Sequence, residues 1–205
     1  MVSMRYCKSI FIGLLFGSLA KIVDLIPGNS LLGYLGLQDL LNYFGVFIVV
    51  VCFVEYNSKN IKEGIVKTLC FMLSMVISYY CMTFFIYHYF PYRYVLLWSI
   101  VAVCSPLLYI LITLRRKNGH VAILGTLIPN LLLGSEAYKF IRTADYFRPQ
   151  LWFDAIAVII IFWKFPLSKK NRLFSILGFV ILIPFFEHLD LINQLANYLY
   201  GLVFR

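Results

Sequence analysis

The stretch IVKTLCFMLSMVISYYCMTFFIY, Ile65 to Tyr87, is followed after HYFPYR by YVLLWSIVAVCSPLLYILITL, Tyr94 to Leu114, and then by Arg115, Arg116 and Lys117. The first run carries one charge, Lys67, and the second carries none. Each is long enough for a helix to cross a hydrocarbon core, which takes about 20 residues. The runs are continuous rather than alternating, so helices are expected in place of barrel strands. A chain in lipid must satisfy its own backbone hydrogen bonds, and a helix does so within one segment.

The rest of the chain repeats this pattern. Of its 205 residues 62% are hydrophobic and 13% charged, with a mean hydropathy of +0.86. A soluble domain is about 45–50% apolar and 25% charged. Further apolar runs are Ser9–Ile26, Leu40–Val54, Val121–Leu133, Leu151–Phe165, Leu173–Phe186 and Leu191–Phe204. The first follows Arg5 and Lys8 like a secretory leader. It lacks a small-x-small cleavage site before polar sequence and is expected to be retained. The fold class expected is all-α, a polytopic transmembrane helical bundle of seven to eight segments forming a single integral membrane domain over 1–205. The shortest runs need snorkelling or a re-entrant path, and Leu191–Phe204 is the weakest crossing.

Charge sets the expected orientation. With the N-terminus cytoplasmic and eight crossings, 13 Lys and Arg residues fall inside and 5 outside, while Glu55 and Glu63 lie inside and the other seven acids outside. This is the positive-inside pattern. The net charge of +9 is thereby accounted for by topology and anionic inner-leaflet lipid, with no nucleic-acid partner. A plasma-membrane location follows, with the lipid bilayer as the main partner. A homo-oligomer, or a second membrane or soluble subunit, stays open. LIPGNSLLG (Leu25–Gly33) echoes LIPNLLLG (Leu127–Gly134), and SKN (Ser58–Asn60) echoes SKKN (Ser168–Asn171). If this marks duplication, it implies two parallel four-helix repeats, 1–114 and 115–205; chance recurrence of Leu, Ile, Pro and Gly is the rival.

Polar groups within or beside the spans are the candidate site. Lys21 and Asp24 are three apart on one helix face, ahead of Pro27, which ends that helix. Pro129 and Asn130 precede Glu136, Asp154 lies one turn into its span, and Pro184 precedes Glu187, His188 and Asp190. These acids could converge on an outward-facing acidic vestibule for a cation or a basic or polar solute. Alternatively each snorkels or makes one helix-packing ion pair. Asp154, Glu187 and His188 are the candidates for proton coupling.

His88 and His120 read as interfacial, and there is no HExxH, CxxC or phosphate-loop pattern, so neither metal nor cofactor is expected. The five cysteines read as small buried hydrophobes. YHYFPYRY, Tyr87–Tyr94, is either an aromatic belt or a stacking platform for a flat or cationic solute. EAYKFIRTADYFRP, Glu136–Pro149, is expected on the outer surface as a short helix or cap.

NYFGVFIVVVCFVEYNSKNIKEGIVKTLCFMLSMVISYY (Asn42–Tyr80), with FIGLLFGSLAKIVDLIP (Phe11–Pro27), resembles a family of small, uncharacterised multi-pass membrane proteins found mostly in Gram-positive bacteria. The resemblance covers roughly residues 10 to 90. It implies a bacterial plasma membrane and a helical bundle, and supplies no catalytic or ligand residues. Three function classes remain. The first is a non-catalytic structural or accessory membrane protein. The second is a small-solute or cation transporter, or a substrate-binding membrane subunit. The third is an enzyme acting on lipid or isoprenoid-linked substrates, for which the candidate residues are too dispersed.

Overall fold

The computed structural model describes residues 3–42, 44–143, 149–166 and 168–189, with 194, 197, 198, 200 and 201; the side chains of 3–5, 34, 39, 42, 139–143, 187 and 189 lie outside that description. The helices are α1 (Ser3–Asp24), two short ones, α2 (Leu31–Tyr34) and α3 (Leu37–Asn42), then α4 (Phe44–Asn57), α5 (Ile61–Tyr87), α6 (Tyr92–Thr113), α7 (Val121–Thr143), α8 (Pro149–Lys164) and α9 (Lys169–Leu189). Among the described residues four stretches, Tyr6–Asp24 in α1, all of α5, α6 with its 3₁₀ continuation to Arg116, and Val121–Tyr138 in α7, are long and apolar enough to span a membrane. Helix α4 is apolar but shorter. The segment Leu191–Phe204 falls largely outside the described residues.

Local sequence explains the principal hairpin. Asn60 caps α5 by accepting from the Glu63 amide at 2.8 Å, and Glu63 pairs with Lys67 one turn on at 2.7 Å. Both suit the positive end of a helix. At the other end His88 adopts φ 52°, and its amide returns to the Phe84 carbonyl. Such a left-handed residue closes a helix, and α6 then runs back antiparallel.

Helices α1 and α5 are parallel and close. A methyl group added at Gly13 would overlap the Phe71 carbonyl and Ser74 hydroxyl, and one at Gly17 the Met75 carbonyl. Glycines four apart let two backbones approach, the usual device where lipid gives helices no hydrophobic reason to associate. Ser18 and Ser78 share a hydrogen bond of 2.6 Å, and the Ser78 hydroxyl also donates to the Leu14 carbonyl at 2.8 Å.

Helix α4 stands between two clusters. Phe47 faces Phe71, Met75 and Tyr80 of α5 and Ala102 of α6. Ile48, Val51 and Cys52 face Tyr109, Leu133 and Ile161 of α6, α7 and α8. At the end where α4 finishes, buried Glu55 accepts from both Arg115 and Arg116. Arg115 also donates to the Phe165 carbonyl at 3.3 Å and lies 4.6 Å from the Phe165 ring centroid. Arg116 reaches the Ser58 carbonyl at 2.9 Å. One carboxylate thus ties α4, the end of α6 and the end of α8 together.

The distribution of side chains is the reverse of a soluble protein's. Glu55, Asn130, Gln150 and Asp154 are fully buried, whereas Phe53, Phe85, Leu107, Ile159 and Ile181 are exposed. An apolar surface around a core containing polar residues fits a lipid solvent.

Pro106, Pro129 and Pro184 lie inside continuous helices. In α7 the buried Asn130 side chain donates to the Thr126 carbonyl one turn back in its own helix at 2.8 Å. The segment from Glu136 does not begin a separate outer cap; α7 continues through it to Thr143, with Glu136 and Ala137 buried. The two echo segments differ locally, since Pro27 lies in a break and Pro129 in a helix. All five cysteines are free, but only Cys52 is buried; Cys7, Cys81 and Cys104 are exposed. An outward thiol in a bundle of this kind still meets apolar surroundings, so burial within protein is not required of it.

Candidate functional site

The candidate site lies in the half of the bundle nearest the His88–Pro91 turn. There a cavity of about 350 Å³ opens between α1, α3, α4, α5 and α6. This lies within the range of small-molecule sites, which run from about 300 to 1,000 Å³. Gly17 and Ala20 leave room on the α1 side, while Phe47 and Trp98 form the opposite wall. Tyr79, Tyr80 and Thr83 contribute the α5 wall, and Tyr94 stands near the turn. Tyr94 is hydrogen-bonded to Tyr200, so a described residue near the C-terminus reaches the same end of the cavity.

Lys21 lies in the wall, only 7% exposed. Its Nζ is 3.7 Å from Asp24 Oδ2 and 5.0 Å from the ring centroids of both Tyr79 and Tyr87. The Tyr79 hydroxyl donates to the same Asp24 oxygen. Spacing in α1 therefore supplies the pair, and α5 supplies two ring faces and a phenol that hold it. Beyond Asp24 the helix ends, and Gln38 of α3 donates to the Ile26 carbonyl at 2.7 Å. The carbonyls freed ahead of Pro27 thus find a side-chain partner.

The other predicted site residues are placed elsewhere. Asp154 of α8 is fully buried, accepts from Gln150 at 2.9 Å and packs against Gly45. Among the described residues Asp154 Oδ1 and Gln150 Oε1 have no hydrogen-bond partner. Gly45 belongs to the α4 face bearing Ile48 and Cys52, whereas Phe47 faces the cavity. Asp154 and the Lys21–Asp24 pair therefore lie on opposite sides of α4. Glu136 is buried on α7. His188 is exposed at the end of α9, and the Glu187 side chain lies outside the described residues. Among the described residues, no three His, Cys, Asp or Glu side chains are grouped to hold a metal ion.

The Tyr87–Tyr94 stretch divides between its two readings. Tyr89, Phe90 and Tyr92 are exposed as a belt would be, while Tyr87 faces Lys21 and Tyr94 lines the cavity. Sequence reasoning found Lys21 and Asp24 but missed the cavity and the Glu55 clasp. The signal for the first was GLLFG, Gly13–Gly17, a small-xxx-small stripe one turn before Lys21. For the second it was an acid closing one span and two arginines closing another at the same end. The chain matches no known protein family, no curated protein and no solved structure.

Proposed function

We propose that this is a non-catalytic, multi-pass membrane protein that captures a small ligand in the aromatic cavity beside Lys21. The observation that carries the reading is the cavity itself: about 350 Å³ of space walled by aromatic rings, with a buried ammonium in its side. A bundle serving only as a scaffold has no need of such a space, since interiors otherwise pack densely. In this reading α1 and α4 to α9 cross the bilayer, the N-terminus is cytoplasmic and the cavity opens outward. The basic residues around Arg115–Lys117 and Lys169–Arg172 then face the inner leaflet. The location is a bacterial plasma membrane, as the family resemblance implies, and a partner subunit would carry any coupling to energy. Lys21 serves as the ligand-facing group, with Asp24 behind it; Asp154 holds α8 against α4.

The test is a thermal-shift screen of purified protein against amino acids, vitamins, organic acids, amines and lipid headgroups, repeated on Val76→Phe. Val76 is buried in the cavity wall, so phenylalanine there occupies ligand space. A compound that stabilises wild type and leaves V76F unmoved supports ligand capture. A folded wild type with no selective response returns the protein to a purely structural or accessory role.

A further inference from the structure

The cavity is graded in polarity. Lys21, Thr83 and Tyr94 lie toward the hairpin turn, while Phe16, Phe47 and Met75 lie deeper. Lys21 stands out because its hydrogen-bonding capacity is unused. Asp24 Oδ2, at 3.7 Å, is beyond hydrogen-bond reach and already accepts from Tyr79. The other neighbours of the ammonium are ring faces. Among the described residues no acceptor is within hydrogen-bond distance of Nζ. A buried ammonium with three idle donors is costly, and a ligand acceptor would relieve that cost.

We infer that the cavity takes a small amphiphilic monocarboxylate, its head on Lys21 and its apolar body against Phe16, Phe47, Met75 and Trp98. The inference rests on the ligand-capture reading above and names the ligand's chemistry. A cationic solute fits less well, because Asp24 already accepts from the Tyr79 hydroxyl and does not line the cavity. A phosphate dianion would call for a second cation, and Lys21 is the one Lys or Arg among the described lining residues. At about 30 Å³ per water-sized group, the volume of about 350 Å³ holds roughly a dozen non-hydrogen atoms. A medium-chain acid or a phenylalkanoic acid meets that size; a whole phospholipid does not.

Trp98 reports on its own cavity once exposed Trp152 and Trp163 are removed. The experiment uses the W152F/W163F protein in phosphatidylcholine nanodiscs, titrated with decanoate, 4-phenylbutyrate, decanol and decylamine, alongside Lys21→Met. Both acids should change Trp98 emission saturably. Decanol and decylamine should bind about tenfold or more weakly, and K21M should lose about the same factor for the acids, as for a hydrogen bond to a charged group. Asp24→Asn should bind the acids at least as tightly, since it removes a competing anion. Equal binding of acid, alcohol and amine, or undiminished acid binding by K21M, overturns the monocarboxylate inference and leaves ligand capture standing. No saturable response to any probe overturns both. Should K21M fail to fold, the charge series on the Lys21 protein decides the matter alone.

Discussion

Glu55→Gln removes the one anion between Arg115 and Arg116 while nearly preserving shape. In the native protein the fully buried carboxylate faces Arg115, itself 7% exposed, and Arg116, and these two guanidiniums draw α6 onto α4. The amide keeps one acceptor oxygen but cannot neutralise either cation. Breaking a buried ion pair by removing one partner costs about 3–5 kcal/mol, because the remaining charge stays desolvated. Arg116 is partly exposed and can turn to water, so the loss is assigned chiefly to Arg115, which stays between Phe165 and Tyr56. The assay is reversible unfolding in mixed micelles, measured for E55Q, Arg115→Met and the double variant. E55Q should lose about 3–5 kcal/mol. The double variant should lose less than the sum of the singles by about 1–3 kcal/mol, the coupling expected of residues in direct contact. Wild-type stability in E55Q, or strict additivity of the two changes, would refute the clasp.

Three further outcomes follow from the packing. Gly17→Ala should destabilise by about 1–3 kcal/mol by overpacking, since the added methyl meets the Met75 carbonyl backbone. Gly28→Ala, where nothing lies within 4 Å, should be neutral or slightly stabilising in the same unfolding assay. Gly45→Ala should cost about 1–3 kcal/mol for the same steric reason, because its methyl would overlap Asp154 Oδ1. Adding Asp154→Gly should return part of that loss, and a double variant less stable than both singles would contradict the contact. In a cysteine-free background, single cysteines at Tyr89 and Lys117 should label from opposite faces of sealed vesicles, Lys117 from inside. Labelling of both from one face would exclude the α5–α6 hairpin as a double crossing.

Much of the architecture could be read from the chain because lipid imposes a simple rule. Ile65–Tyr87 and Tyr94–Leu114 are long, apolar and bounded by polar joints, and α5 and α6 follow them closely. Hydropathy failed at α7, where Glu136 ends the apolar run but the helix continues. A polar residue turned into the bundle looks the same in sequence as one entering water. At the site, Lys21 and Asp24 were legible because their spacing is local. Tyr79, which binds Asp24 and faces Lys21, lies 55 residues after Asp24. That partnership depends on the Gly13–Gly17 approach between two helices that are not consecutive. Asp154 was recognised as an in-span acid, but only the two faces of α4 reveal that it is separated from Asp24.

The proposed ligand site is the cavity between α1, α4, α5 and α6. Native mass spectrometry of the protein with decanoate, decanol and decylamine added in turn tests it most directly, comparing wild type with V76F. A single bound copy of at least one probe is expected on wild type, lost from V76F at equal protein recovery. The same distribution of bound probe on both proteins would place the ligand outside the cavity and overturn ligand capture there.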